Sequence, residues 1–308
     1  MYARSIAVLA LALSACKMSQ APMDAQVGSA ASTVLVPEEP FAEACTAWDE
    51  WDKPARPFQL MGNSWYVGTC GISVILITGE EGHILIDSGV EVAVPLVLAN
   101  VRHLGFDPDD IRYILMNHEH FDHVGGHAAL AAATGAEVLA SPLAAPVLES
   151  GYVAGDDPQA MSEHPTMKPV EVARIIEHGE TVSLGKIAVT AHLTPGHTPG
   201  GMSWSWWACS LPGEPPVCRR MAYADSLSPV SSDAYRFSDH PDYVARFRTA
   251  IDTVRAMPCD TLVTPHPSAG RLIERLRDGT FGQFGECARY ADALTRRLDA
   301  RLAKEAER

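Results

Sequence analysis

The chain has 308 residues, of which 47% are apolar, 20% charged and 7% aromatic. This composition suits one large folded domain or two small ones and excludes a disordered or fibrous chain. Asp plus Glu number 38 against 24 Lys plus Arg, a formal charge of −14, and a surface so acidic repels phosphate backbones. The most basic run, Arg296 to Arg308, is interleaved with Asp299, Glu305 and Glu307, so no nucleic-acid partner is expected.

Residues 1–15 read as an export signal. Met1 to Arg4 carries one positive charge, Ser5 to Ala12 is apolar, and Leu13-Ser14-Ala15 leads to Cys16. About ten apolar residues fall short of the roughly 20 that span a bilayer. The ending resembles a bacterial lipobox, which implies acylation of Cys16 and a place on the periplasmic face of the envelope. The only membrane contact expected is through that lipid. Residues 16–40, rich in Ala, Ser, Gln and Pro, read as a flexible tether, and residues 41–308 as a single domain.

Within that domain, Trp65–Val67 and Ile72–Thr78 read as strands, as does the short apolar His83–Asp87 between Gly82 and Gly89. Val92–Leu104 has helical spacing and stops at Gly105. Ile111–Met116 is a strand, Ala128–Ala133 begins a small-residue helix, and Glu137–Ala140 is again a strand. After a polar loop, Thr181–Leu184 and Ile187–Leu193 form a hairpin around Gly185. Met202–Ala208 and Met221–Ala224 are strands joined through the turn-rich Pro212–Pro216. Pro241 opens a helix running to about Met257. A strand at Thr261–Thr264 and helices at Ser268–Arg277 and Gln283–Glu305 complete the chain. Strand and helix alternate, which implies a layered α/β fold.

Seven cysteines are present. Without Cys16, six remain, an even number in a chain expected to be exported, and none falls in a Cys-x-x-Cys pair. Disulfides fit this better than a thiolate metal site. Proximity in sequence pairs Cys45 with Cys70, Cys209 with Cys218 and Cys259 with Cys287.

The chemistry concentrates in Asn117-His118-Glu119-His120-Phe121-Asp122-His123-Val124-Gly125-Gly126. Four potential metal ligands occupy six residues at the C-terminal end of a strand, where α/β sheets place ligands. His118 and His120 are two apart, so in extended backbone they point the same way. Asp122 and His123 follow where the chain turns. The turn Thr194-Pro195-Gly196-His197-Thr198-Pro199-Gly200 offers His197, and Thr264-Pro265-His266-Pro267 offers His266 at another strand end. Five imidazoles and one carboxylate suit zinc, in two sites of three ligands, each with an open position.

The H-x-H-x-D-H run, the G-H-T-P-G turn and the late P-H resemble the metallo-β-lactamase superfamily, as does Ile84-Leu85-Ile86-Asp87-Ser88-Gly89. The resemblance implies an αβ/βα four-layer sandwich, with two central sheets and helices outside. It also implies two zinc ions, one on His118, His120 and His197 and one on Asp122, His123 and His266. Tyr223-Ala224-Asp225-Ser226-Leu227-Ser228 resembles the D-S-L-S stretch of the third, di-zinc lactamase subclass. That implies Ser226 and Ser228 facing the cleft, with Asp225 turned away. Asp225 facing the metals would instead resemble the lactonases and glyoxalase II. The six-cysteine pattern resembles that of subclass members with three disulfides.

The implied activity is hydrolysis of the β-lactam amide bond of penicillins, cephalosporins and carbapenems by a zinc-bridged hydroxide, which would confer antibiotic resistance. A lactone or thioester hydrolase of the same fold is the alternative. Asp122, Ser226 and Ser228 are the candidate catalytic residues, the serines to hold the antibiotic's carboxylate. Trp48, Trp51 and Gln159 are candidate substrate contacts. Asp87 is a candidate orienter of a ligand histidine or a cap on its own turn. His83, His103, His127, His164, His178, His192 and His240 read as surface or structural. A monomer acting on a small molecule is expected.

Overall fold

The apolar runs from residue 58 to residue 175 pair in simple chain order into a seven-stranded sheet. Its strands are β1 (Phe58–Met61), β2 (Ser64–Tyr66), β3 (Ile75–Gly79), β4 (Gly82–Ile86), β5 (Ile111–Leu115), β6 (Glu137–Ala140) and β7 (Val172–Ile175). β1 to β4 run antiparallel and β4 to β7 parallel. The helices of this half are α1 (Phe41–Ala44), α2 (Val94–His103), α3 (Phe121–Val124), α4 (His127–Thr134) and α5 (Ala145–Ser150). A second sheet holds β8 (Thr181–Leu184), β9 (Ile187–Leu193), β10 (Met202–Cys209), β11 (Cys218–Tyr223) and β12 (Thr261–Val263), in the order β12-β11-β10-β9-β8. Only β11 and β12 pair in parallel. The chain closes with α6 (Pro241–Ala256), α7 (Leu272–Arg277) and α8 (Glu286–Ala306).

This computed structural model describes residue 1 and residues 36–211, 213 and 217–307. The expected signal, the acylation site Cys16 and most of the 16–40 tether lie outside the described residues. So do Pro212 and residues 214–216 of the expected turn.

Strand β4 is buried along its whole length, which is why it reads as an unbroken apolar run. The sheets meet through Ile77 and Ile84 on one side and Val189 and Trp204 on the other, while Val97, Val101 and Leu130 of α2 and α4 join the same core. Trp204 is fully buried, and its indole N–H donates to Met116 O at 2.9 Å, so no donor is stranded. A second core lies behind the second sheet, where Ala222 and Leu262 meet Phe247 and Ile251 of α6 and Leu294 and Leu298 of α8. The layers run helix, sheet, sheet, helix, which is the sandwich expected.

Three cysteine pairs are joined, Cys45–Cys70, Cys209–Cys218 and Cys259–Cys287. Cys209 and Cys218 stand opposite each other in the β10–β11 register. Cys259, just past α6, is tied to Cys287 in the first turn of α8.

Several boundaries differ from the sequence reading, each for a local reason. The expected helix over Ser268–Arg277 begins only at Leu272, because Arg271 sits at φ +57°, which no α-helix accommodates. Gly285, at φ +81°, likewise delays α8 to Glu286. β1, α5 and β7 were not expected. β1 (Phe-Gln-Leu-Met) has no β-branched residue, α5 is only six residues long, and β7 is mostly exposed.

A pH dependence follows from β9. His192 Nε2 lies 2.8 Å from Ser205 Oγ, and burial, with nearby His178, lowers its pKa from 6.5 to about 4. The unfolded chain therefore binds the extra proton between those values, and stability falls as pH drops from 6.5 toward 4. His192→Gln is expected to flatten the thermal midpoint across that window. An unchanged acid slope in the variant would contradict the assignment.

Candidate metal centre

The functional side chains come from strand ends of both sheets. The bent segment after β5 carries Asn117 to His120, and α3 then carries Asp122 and His123. The turn between β9 and β10 supplies His197, and the segment after β12 supplies His266. His118, His120, Asp122, His123 and His197 are buried, and the His266 side chain is 18% exposed.

Five of the six residues fall into two groups that share His118, and His266 stands beside the second. One ligand atom each from His118, His120 and His197 lies within 4.8 Å of the others, and the same holds for His118, Asp122 and His123. Asp122 Oδ2 is 2.9 Å from His123 Nε2 and 3.3 Å from His266 Nε2, and those two nitrogens are 3.3 Å apart.

The donor set fits a metal, because each imidazole has an acceptor near one nitrogen, while His118 Nε2 is left without a partner and the Nε2 atoms of His123 and His266 both face Asp122. His118 Nδ1 donates toward Asn117 Oδ1 at 2.8 Å and Asp225 Oδ1 at 3.1 Å. Its Nε2 is buried with no partner. His120 Nε2 is fixed by Asp157 Oδ2 at 3.0 Å, His197 Nδ1 by the Ser228 carbonyl at 2.9 Å and His266 Nδ1 by the Gly71 carbonyl at 3.3 Å. His123 Nδ1 lies 3.5 Å from Asp87 Oδ2. Acceptors behind ligand histidines set the tautomer and the ring orientation.

Electrostatics keep His118 and His197 neutral and Asp122 ionised, while Asp122 and Asp87 outweigh burial and raise His123 to about 10. Burial, then the neighbouring imidazoles, holds His118 well below the usual histidine range, and burial and His120 lower His197 to about 3. Both are neutral at pH 7. Burial by itself would raise the Asp122 carboxyl, but His123 and His266 overcome that and hold it well below the ordinary carboxylate value. Imidazoles gathered around an ionised carboxylate make a cation site of the kind zinc occupies.

Asp87 faces His123 and ties in the segment after β5 rather than capping its own turn. Its Oδ1 accepts the Asn117 N–H at 2.7 Å, and its Oδ2 accepts the Tyr223 hydroxyl at 2.7 Å while facing His123. Its backbone sits at φ +65°, a conformation that costs about 1–3 kcal/mol and gathers at functional sites.

Two residues not singled out from the sequence complete the frame. Glu119 is buried. It accepts the Thr198 hydroxyl at 2.6 Å and the Gly200 N–H at 2.7 Å, which fixes the turn carrying His197. A Cβ on Gly200 would lie 2.8 Å from Glu119 Oε1, so glycine permits that approach. Asp157 lies 37 residues from His120, and no spacing pattern announces such a pairing.

The serine expectation needs correction. β11 ends at Tyr223, and Leu227 sits at φ +41°, so Ser226 and Ser228 do not share a face through strand alternation. Ser226 is buried with an unpartnered hydroxyl, and Ser228 is half-buried. Asp225 lies behind His118, and Gly201 lets it approach, since a Cβ there would stand 2.5 Å from Asp225 Oδ2.

The Trp48 and Trp51 rings are exposed, with centroids 6.0 and 6.2 Å from that of His266. Trp48 is held at φ +59° with its N–H on Ser268 Oγ at 2.7 Å. Gln159 is half-buried in the loop that carries Asp157, and its Nε2 has no partner. His164, expected to be surface or structural, has its ring centroid 5.0 Å from that of His120 and belongs beside the site.

A sequence profile described as "Metallo-beta-lactamase superfamily" matches residues 67–206. Among solved structures, the metallo-β-lactamase MIM-1 from Novosphingobium pentaromativorans is 49% identical with a TM-score of 0.83, covering 87% of this chain and 98% of that one. MEM-A1, described as a subclass B3 metallo-β-lactamase from a soil metagenome library, is 41% identical with a TM-score of 0.78, covering 84% and 99%. A hydroxyacylglutathione hydrolase of Polaromonas sp. is 37% identical over 174 residues, 54% of this chain and 51% of that protein. The match spans from 32% to 53% of the length of such curated relatives. With near-complete coverage of structures at this identity, the chain belongs to the metallo-β-lactamase superfamily, and it is a hydrolase.

Proposed function

We propose that this hydrolase opens the β-lactam ring of antibiotics with two zinc ions, one on His118, His120 and His197 and one on Asp122, His123 and His266. The observation that carries the metal assignment is convergence: ligand atoms of His118, His120 and His197, and of His118, Asp122 and His123, lie within 4.8 Å of one another, and His266 Nε2 lies 3.3 Å from Asp122 Oδ2. What supports the substrate class is likeness to metallo-β-lactamases over almost their whole length. When bound, zinc supplies Lewis acidity and makes water a nucleophile at neutral pH.

The chain's own residues hold and orient. Asn117 and Asp225 fix the His118 ring, Asp157 fixes His120, and the Ser228 carbonyl fixes His197. The half-buried Ser228 is assigned to the antibiotic's carboxylate, and Ser226, being buried, supports that wall from within. Trp48 and Trp51 offer apolar surface at the rim to the substituents of the bicyclic ring.

The hydroxyacylglutathione hydrolase relatives favour a thioesterase as the second reading. Against it, Asp225 contacts the outer nitrogen of His118 and is not among the residues grouped as a metal site. Substrate choice separates the two. The zinc-loaded enzyme is expected to hydrolyse a penicillin and a carbapenem and to turn over a glutathione thioester or an acylhomoserine lactone at least about 100-fold less efficiently. Preference for the thioester or the lactone would reverse the assignment. Export and acylation at Cys16 belong to the same proposal, on the sequence of residues 1–16. Cys16→Ser is expected to move the protein out of the membrane fraction, and an unchanged distribution would contradict anchoring.

A further inference from the structure

The basic residues that look scattered in the sequence converge once the chain is folded. Arg271 and Arg275, in and just before α7, and Arg289 and Arg296 on α8 line one cavity of 580 Å³, together with Gln283 and Glu286. Four guanidinium groups around one hollow are unusual in a chain of formal charge −14. Their gathering needs an explanation in terms of what they face.

The single acid among the lining residues does not balance them. Glu286 is buried and already saturated: it accepts the Leu262 N–H at 2.6 Å, the Gly282 N–H at 3.2 Å and Arg275 Nη1 at 2.6 Å. Arg275 in turn gives Nη2 to the Leu262 carbonyl at 2.9 Å. That pair bolts β12 to α7 and α8 and is spent on structure. Arg271, Arg289 and Arg296 make no ion pair among the described residues, and Arg289 gives only Nη1, to the Phe284 carbonyl at 2.8 Å. Three uncompensated positive charges thus surround a hollow large enough for a small molecule.

We infer that this cavity binds a small multivalent oxyanion, phosphate-bearing or polycarboxylate, held by Arg271, Arg289 and Arg296. Guanidinium forks match phosphate and carboxylate oxygens in paired hydrogen bonds, which a spherical monovalent anion cannot use. The acidic surface outside the cavity disfavours a long polyanion and selects a compact one. The cavity wall also includes Ala269 and Gly270, whose N–H groups bond to the His266 carbonyl at 3.0 Å and to Thr264 Oγ1 at 2.9 Å. An anion here would brace α8 against the segment that presents His266.

The test uses inorganic sulfate, a compact dianion, against chloride at constant ionic strength. Binding is followed by calorimetry and by thermal unfolding of the zinc-loaded protein. The expected result is saturable binding at one site, a raised midpoint with sulfate and not with chloride, and at least tenfold weaker binding in Arg296→Glu and in Arg271→Glu. Arg297→Glu changes charge equally at the next position of α8 but does not line the cavity, and it should bind as the wild type does. Three results would overturn the inference: no saturable binding, equal weakening in Arg297→Glu, or full binding in Arg296→Glu. The last would place the anion at the histidine cluster instead. Arg271 and Arg296 are both exposed, and either variant alone suffices if the other folds poorly.

Discussion

Replacing Asp122 by Ala is expected to lower β-lactam turnover by more than about 100-fold and to reduce bound zinc from two ions per chain to one. Removing an acceptor behind a ligand histidine costs about 10–100-fold in metal affinity or activity, and loss of a direct ligand should exceed that. Asp122 is the only carboxylate in the proposed set. Its Oδ2 stands 2.9 Å from His123 Nε2 and 3.3 Å from His266 Nε2. Without it, the second group would keep two imidazoles and lose its carboxylate. Metal analysis and steady-state kinetics on the same preparation check both parts. The thermal midpoint of the metal-free variant shows whether the fold survived. Wild-type turnover with two zinc ions bound would contradict the ligand assignment.

Glu119→Ala should reveal a residue that never touches metal or substrate. The change leaves the Thr198 hydroxyl and the Gly200 N–H buried without an acceptor. Each stranded donor costs about 1–3 kcal/mol. The turn they belong to carries His197, so activity should fall by about 10–100-fold along with the lower thermal midpoint. Glu119→Gln should do intermediate damage, since an amide presents one acceptor and one donor to two donors. If Glu119→Ala unfolds at the wild-type midpoint and turns over substrate at the wild-type rate, the carboxylate does not hold the turn.

The proposed ligands stand out in the sequence because their chemistry is local. Four of the six lie between residues 118 and 123, and the other two sit in proline-flanked turns at strand ends. The β8–β9 hairpin was equally plain, since Gly185 separates two apolar runs and takes φ +55°. The supports behind the ligands were not legible. Asp157 meets His120 across 37 residues, and Asp225 meets His118 across 107. The phase of Ser226 and Ser228 turned on one left-handed residue, Leu227, which a leucine side chain does not announce. The arginine cavity was hidden because it is assembled from α7 and α8, whose arginines lie up to 25 positions apart and are separated by acids in the chain.

The most direct test of the central claim is carbapenem hydrolysis by the purified domain, measured before and after removal of metal by a chelator and again after zinc is restored. Turnover that stops on chelation and returns as two zinc ions per chain rebind is the predicted result. Two bound zinc ions with no β-lactam turnover would contradict the proposed function, and turnover that persists without metal would contradict the metal centre itself.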